Sequence, residues 1–182
     1  MGKVFIHLAD GFEEIEAIAP YDILIRGGCN VITVSVMGRK EVKSSRGIRV
    51  IADELFEDIN YKEGDIIILP GGMPGSKHLD EHKGLHKVIL EYYNEGKLIA
   101  AICAAPMVFG HLGVLKGKSA TCYPGMENEL YGANTLNQSV VVDGNVITSK
   151  GAGTAAEFAF KILEILKGSK VVQDVKNKMI FK

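Results

Sequence analysis

The sequence has no tryptophan, only five prolines and only three cysteines in 182 residues. Those cysteines, Cys29, Cys103 and Cys122, are odd in number and form no CxxC. Neither a disulfide framework nor a zinc site is expected from them, and no metal or cofactor is expected. A reducing, cytoplasmic setting fits such usage. A surplus of one charge is also missing, because 21 Lys and Arg face 22 Asp and Glu, a net charge of −1. A nucleic-acid partner is therefore not expected, since such binders need a cationic surplus to displace counterions from phosphates. A polybasic membrane anchor is excluded on the same ground. No apolar run approaches the roughly 20 residues that span a bilayer. The opening MGKVFIHLADGFEE turns acidic early and has no small-residue cleavage site, so it does not read as a signal peptide. Ile6 breaks the myristoylation pattern that Gly2 would begin.

What is present is a regular alternation. With 47% hydrophobic residues the chain can bury a sizeable core. Short, β-branched and largely apolar runs recur at Val4–Leu8, Val31–Val36, Ile66–Leu69 and Leu98–Ile102, as in strands buried on both faces. Helical patterns lie between and after them, over Glu13–Arg26, Leu85–Asn94 and Ala155–Lys167, each followed by a glycine suited to a C-cap. Val140–Val142 and Val146–Thr148, joined by Asp143-Gly144-Asn145, read as a β-hairpin. The pattern predicts a single α/β domain over residues 1–182. It is a doubly wound, mostly parallel sheet with helices on both faces and a small hairpin. Active sites of such sheets lie beyond the C-terminal strand ends. That selects the loops after Leu8, Leu69, Ile102 and Thr148.

The loop after Ile102 carries the most chemistry. Strand LIAAI runs straight into Cys103, and AAPMVFGHL then reads as a helix, with Pro106 suited to its first turn. A nucleophile at such a strand-to-helix elbow is projected outward, and nearby free N–H groups favour the thiolate and can hold an oxyanion. The alternative is a small buried hydrophobe; Cys103 is preferred as the reactive thiol, and Cys29 and Cys122 rank well behind it.

After Leu8, Asp10 and Glu13 suggest a capping box, with Glu13 structural, and Glu14 reads as solvated. Glu16 differs, because Phe12, Ala19, Pro20 and Ile23 surround it at helical spacings. It should turn toward the sheet, and Pro20 should kink its helix. A buried carboxyl stays protonated and can donate a hydrogen bond to sulfur. The LPGG of residues 69–72 offers backbone N–H groups to an anion. GAGTAA at residues 151–156 is read as a packing or anion-holding turn rather than a dinucleotide fingerprint. His78, His82 and His86 lie four apart, yet Gly84 interrupts them, and a solvated face is expected rather than a metal stripe. His7 reads as a hydrogen-bonded core residue, and His111 as too far along its helix to act as a base for Cys103.

AAICAAP around Cys103, DGFEEIEAIAPYDILIRGG around Glu16, LPGG and TSKGAGTAAEFAFKILEIL occur in order across the chain. Together they resemble the DJ-1/ThiJ/PfpI superfamily, nearest the protein deglycase and glyoxalase III branch. The resemblance implies a flavodoxin-like, class I glutamine amidotransferase-like fold and a homodimer. It implies Cys103 as nucleophile and Glu16 as its hydrogen-bonding partner. Gly71, Gly72 and Ala104 would frame the oxyanion site, with Arg46 near the dimer interface and the cysteine pocket. It also implies a cofactor-free, stress-protective activity on small carbonyls such as α-oxoaldehydes or their adducts. The alternatives are a redox sensor or chaperone acting through Cys103 oxidation, and a peptidase or amidase. Two departures stand out. Tyr123 occupies a position where many relatives carry histidine, and Ala104 occupies the position of the protease branch's histidine. Tyr123 and Gly151 are further candidates for the pocket.

Overall fold

The computed structural model describes residues 2–181; Met1 and Lys182, the ends of the expected domain, lie outside it. In chain order the elements are β1 (Lys3–Leu8), α1 (Glu14–Arg26), β2 (Asn30–Ser35), β3 (Glu41–Lys43), β4 (Arg49–Ile51) and β5 (Glu54–Leu55). They continue with β6 (Ile66–Leu69), α2 (Gly75–Glu81), α3 (Lys83–Asn94), β7 (Leu98–Ile102), α4 (Pro106–His111), β8 (Ser119–Ala120) and β9 (Asn134–Thr135). β10 (Val140–Asp143), β11 (Val146–Ser149), α5 (Ala155–Lys167) and α6 (Ser169–Lys178) complete the chain.

Seven strands form one sheet in the order β10-β11-β7-β6-β1-β2-β5. All neighbours are parallel except the β10–β11 hairpin. This is the flavodoxin-like α/β arrangement expected from the sequence, with β11 of the hairpin joining the sheet through β7. The strand residues alternate between two cores, as the pleat requires. Ile66, Ile68, Ala100, Ile102 and Ile147 face one core with α1 and α5, through Ala17, Ile23, Phe158 and Ile162. Ile67, Leu69, Ile99, Ala101 and Val146 face the other, with Leu79, Leu85, Ile89, Val108 and Phe109. Burial on both faces is why these strands read as continuous apolar runs. Among the described residues no helix is long and apolar enough to cross a membrane.

Three sequence expectations are corrected. The cap of α1 is Glu13, whose carboxylate accepts the Glu16 N–H at 2.9 Å. Asp10 lies outside the helix because Gly11, at φ +86°, turns the chain between them. Its carboxylate instead pairs with Arg39 and accepts the Lys43 N–H. Glu14 is half-buried rather than simply solvated; it accepts from the Ser44 and Ser45 hydroxyls and the Arg46 N–H, anchoring the β3–β4 turn. His78, His82 and His86 are half-buried rather than on a solvated face. His82 caps α3 through Nδ1, which accepts the Leu85 N–H, and its ring packs edge-on against Phe56.

His7 behaves as read. It is fully buried in β1 and hydrogen-bonds the Tyr61 hydroxyl at 2.8 Å, and burial holds its pKa down at about 3.

Candidate active site

β11, β7, β6 and β1 are contiguous in the sheet and parallel, so their C-terminal ends stand side by side. The loops leaving those four ends are the four selected from sequence. They bring Glu16, Gly71, Gly72, Cys103, Ala104 and Gly151 together.

Cys103 adopts φ +66°, a left-handed conformation rare for a side-chain-bearing residue and costing about 1–3 kcal/mol. Its N–H donates to the Ser149 carbonyl and its carbonyl accepts the Tyr123 N–H, so the neighbouring segments fix the bend on both sides. The expected elbow is therefore present. The helix after it begins only at Pro106 and has six residues, so individual N–H groups rather than a long helix dipole face the sulfur. Those groups are the backbone N–H of Gly72 and of Ala104.

Glu16 is 1% exposed, in the first turn of α1. Its Oε2 accepts the Gly71 N–H at 2.9 Å, while the Gly71 carbonyl accepts the Glu13 N–H at 2.9 Å. Gly71 is thus clasped by the start of α1, and its N–H serves the carboxyl rather than an oxyanion, a correction to the role expected of it. A glycine is required there. A Cβ would stand 2.6 Å from both the Cys103 Cβ and the Glu16 Oε2. Gly72, at φ +88°, needs the same freedom to present its N–H to sulfur. The N–H of Ala152, at the start of the turn after β11, also favours the charged form of the Glu16 carboxyl.

The two side chains interact directly. Burial pushes the Glu16 carboxyl up to about 7, against the hydrogen bonds that favour its charged form. Burial and then the charge of Glu16 push the Cys103 thiol up to about 12, against the Gly72 and Ala104 N–H groups. The expected lowering of the thiol is thus opposed by desolvation and by its own partner. A carboxyl and a thiol in this relation titrate as a unit, and between the two values they hold one proton between them. Donors on sulfur favour placing it on Glu16; the Gly71 and Ala152 N–H groups favour the reverse.

Above the sulfur lies a cavity of about 390 Å³ whose walls are Gly72 and Met73 on one side and Tyr123, Pro124, Gly125 and Met126 on the other. Among the described residues no charged side chain lines it. Tyr123 is 53% exposed at its rim. Gly151 adjoins the site in extended backbone (φ 165°). A Cβ there would lie 3.6 Å from the Tyr123 ring, 3.8 Å from Glu16 Oε1 and 4.0 Å from Cys103 Sγ. Arg46 is not brought to this cavity within one chain. It is exposed and lines a neighbouring groove with Lys43 and Met73. Cys122 is buried, its thiol pushed up to about 11, and opens on a different groove with Thr121 and Lys150. Cys29 is buried at the start of β2, away from the site.

The motif order and the fold agree with comparison to known proteins. The DJ-1/PfpI family model matches residues 2–165. The chain belongs to the DJ-1/PfpI family. It is 40% identical over 182 residues to Protein DJ-1 homolog B of Arabidopsis thaliana, spanning 99% of this chain but 42% of that protein. It is 39% identical over 158 residues to a Caenorhabditis elegans protein named glutathione-independent glyoxalase DJR-1.2, covering 86% of this chain and 83% of that one. The structure of oxidized DJ-1 from Toxoplasma gondii superposes with a TM-score of 0.95 at 34% identity, covering 100% of this chain and 99% of that one. At that similarity the class I glutamine amidotransferase-like fold is shared throughout.

The close packing at Gly71 is testable. Gly71→Ala should lose about 1–3 kcal/mol in urea unfolding, the usual cost of overpacking a filled interior, and alter the pH profile of Cys103 alkylation. A variant as stable as wild type with an unchanged profile would contradict this packing.

Proposed function

We propose that this member of the DJ-1/PfpI family is a cofactor-free enzyme acting on small α-oxoaldehydes or their adducts. Cys103 is its nucleophile and Glu16 its proton shuttle. The observation that carries the reading is the Glu16–Cys103 pair, a buried carboxyl beside a half-buried thiol, whose carboxyl sits near neutrality at about 7, where a group can both give and take a proton. An uncharged cavity over the sulfur suits a small neutral dicarbonyl. The Caenorhabditis elegans relative named a glyoxalase supports the same class of chemistry.

With methylglyoxal, the Cys103 thiolate adds to the aldehyde carbon, forming a C–S bond and an alkoxide, which takes the proton of Glu16. The Gly72 and Ala104 N–H groups are the donors available to that oxygen, a role worth about 3 kcal/mol per donor in comparable sites. The Glu16 carboxylate removes hydrogen as a proton from the former aldehyde carbon and returns it to the adjacent carbon. The hydroxyl proton passes to the second oxygen. One carbon is oxidised and its neighbour reduced by two electrons each, so no external redox partner is consumed. Water then cleaves the resulting thioester, releasing lactate and restoring the pair.

A second reading has its own support, because the Toxoplasma gondii relative is described as oxidized. Cys103 could instead sense oxidants, ending as a sulfinate beside a protonated Glu16. One experiment separates the two. Methylglyoxal is offered to wild type, Cys103→Ala and Glu16→Gln, and wild type is separately treated with peroxide and weighed intact. Lactate formed by wild type, abolished by Cys103→Ala and reduced on the order of 10²-fold or more by Glu16→Gln is the expected outcome. Equal lactate from wild type and Cys103→Ala would falsify the enzymatic reading. A gain of two oxygens at Cys103 with negligible turnover would favour the sensor.

We also propose that the chain works as a homodimer in a reducing, cytoplasmic setting. Ile15, Ile18 and Ile48 are 53%, 47% and 57% exposed and line one apolar groove with Met179 and Phe181. Such a patch asks for a partner. Sedimentation should give twice the chain mass for wild type and the chain mass for Ile18→Glu; a monomeric wild type at tens of micromolar excludes the dimer.

A further inference from the structure

His111 ends α4 with both ring nitrogens occupied by carboxylates. Nδ1 lies 3.0 and 2.9 Å from the two oxygens of Asp80 on α2, and Nε2 lies 2.9 Å from the Glu129 carboxylate. The ring also packs on Tyr131, with centroids 4.9 Å apart. A neutral imidazole has one N–H and one lone pair, so only the imidazolium can donate to both acids. Partial burial works against the charged form, but the hydrogen bonds and charges of Glu129 and Asp80 outweigh it and raise His111 above its usual value. Its place in the last turn of α4 favours the cation as well.

The two acids lie on the segments that continue from the two stretches which, with Cys103 and Ala104, line the cavity. Asp80 is on the helix that follows Gly72 and Met73, one wall. Glu129 closes the short 3₁₀ turn Glu127–Glu129 that follows Tyr123–Met126, the other wall. α4 itself leads away from Cys103 and packs tightly on that turn. A Cβ on Gly110 would stand 2.1 Å from the Glu129 carbonyl oxygen. We propose that His111 is a positioning residue, a clamp whose charged ring ties the two walls of the Cys103 cavity to the helix behind the nucleophile, and whose neutral ring releases one of them.

Other charges nearby are directed elsewhere. Lys77 and Glu81 on α2 pair with each other, and Glu127 accepts the Gly125 N–H. His78 acts on Asp10. The clamp is therefore set by His111 with Asp80 and Glu129. Because the folded state raises the His111 pKa, its contribution is complete below about 6.5, the unperturbed value, and is lost as pH rises through the folded value.

Hydrogen exchange of the bonded backbone amides of Tyr123 and Met126 in the cavity wall, and of Glu129 and Leu130 in the turn beyond it, tests this without substrate. It is therefore independent of the aldehyde chemistry. After correction for intrinsic exchange, wild-type protection should fall about threefold between pH 6 and pH 9, the scale of a partly exposed ion pair. His111→Gln should show the lower protection at both pH values. His111→Arg, charged throughout and forked, should keep the higher protection at both. Wild-type protection that does not change with pH, or that changes in parallel with His111→Gln, overturns the clamp. So does an Arg variant that tracks the wild-type loss.

Discussion

A carboxyl and a thiol held against each other out of water cannot both ionise without a large electrostatic cost. Glu16 and Cys103 are in that position, and the surrounding loops serve to keep them there. Gly71 is bare because any side chain would occupy their space. Cys103 is bent into a left-handed conformation so that its sulfur meets two backbone donors. Glu13 caps α1 and grips the Gly71 carbonyl, which sets the rotation of α1 that carries Glu16 inward. Between its two titrations the pair holds a single proton, and both proposed chemistries draw on it.

The sheet makes that meeting possible at low cost. Four adjacent parallel strands end on one edge, and each supplies one loop to the pair. Backbone groups thereby approach from three sides without any charged side chain entering the cavity. Polar groups so oriented are fixed by the fold before a substrate arrives, which is what makes them effective against developing charge.

Much of this was legible in the sequence because strand ends are marked by abrupt changes in residue type. LIAAI running into Cys103 and then Pro106 announces an elbow, and a glutamate ringed by Phe12, Ala19 and Ile23 announces an inward carboxyl. What eluded the sequence depended on tertiary partners. Asp10 looked like a cap, but the turn at Gly11 gave it to Arg39 and Lys43. Gly71 was read as an oxyanion donor, whereas Glu16 takes its N–H. Arg46, expected near the dimer interface and the cysteine pocket, lines within one chain a groove that shares Met73 with the Cys103 cavity. β3 and β4 have three residues each, with one shielded central valine between two exposed residues, too little for a period-two signal. α6 begins at once after Gly168, whose glycine signal reads as a terminus rather than a hinge between two helices. Met126 and Gly125 reach the cavity on a segment that the Tyr123 N–H ties to the Cys103 carbonyl, a contact between distant parts of the chain.

The shared proton is most directly tested by the pH dependence of Cys103 alkylation by iodoacetamide in wild type and Glu16→Gln, read at the Cys103 peptide. In wild type, reactivity should rise through a step near 7, as the pair loses its first proton and sulfur carries part of the charge. In Glu16→Gln only sulfur remains to release that proton, so the midpoint should move upward. Wild-type reactivity that stays flat through neutrality and appears only toward about 12 would place the proton on sulfur and contradict the account.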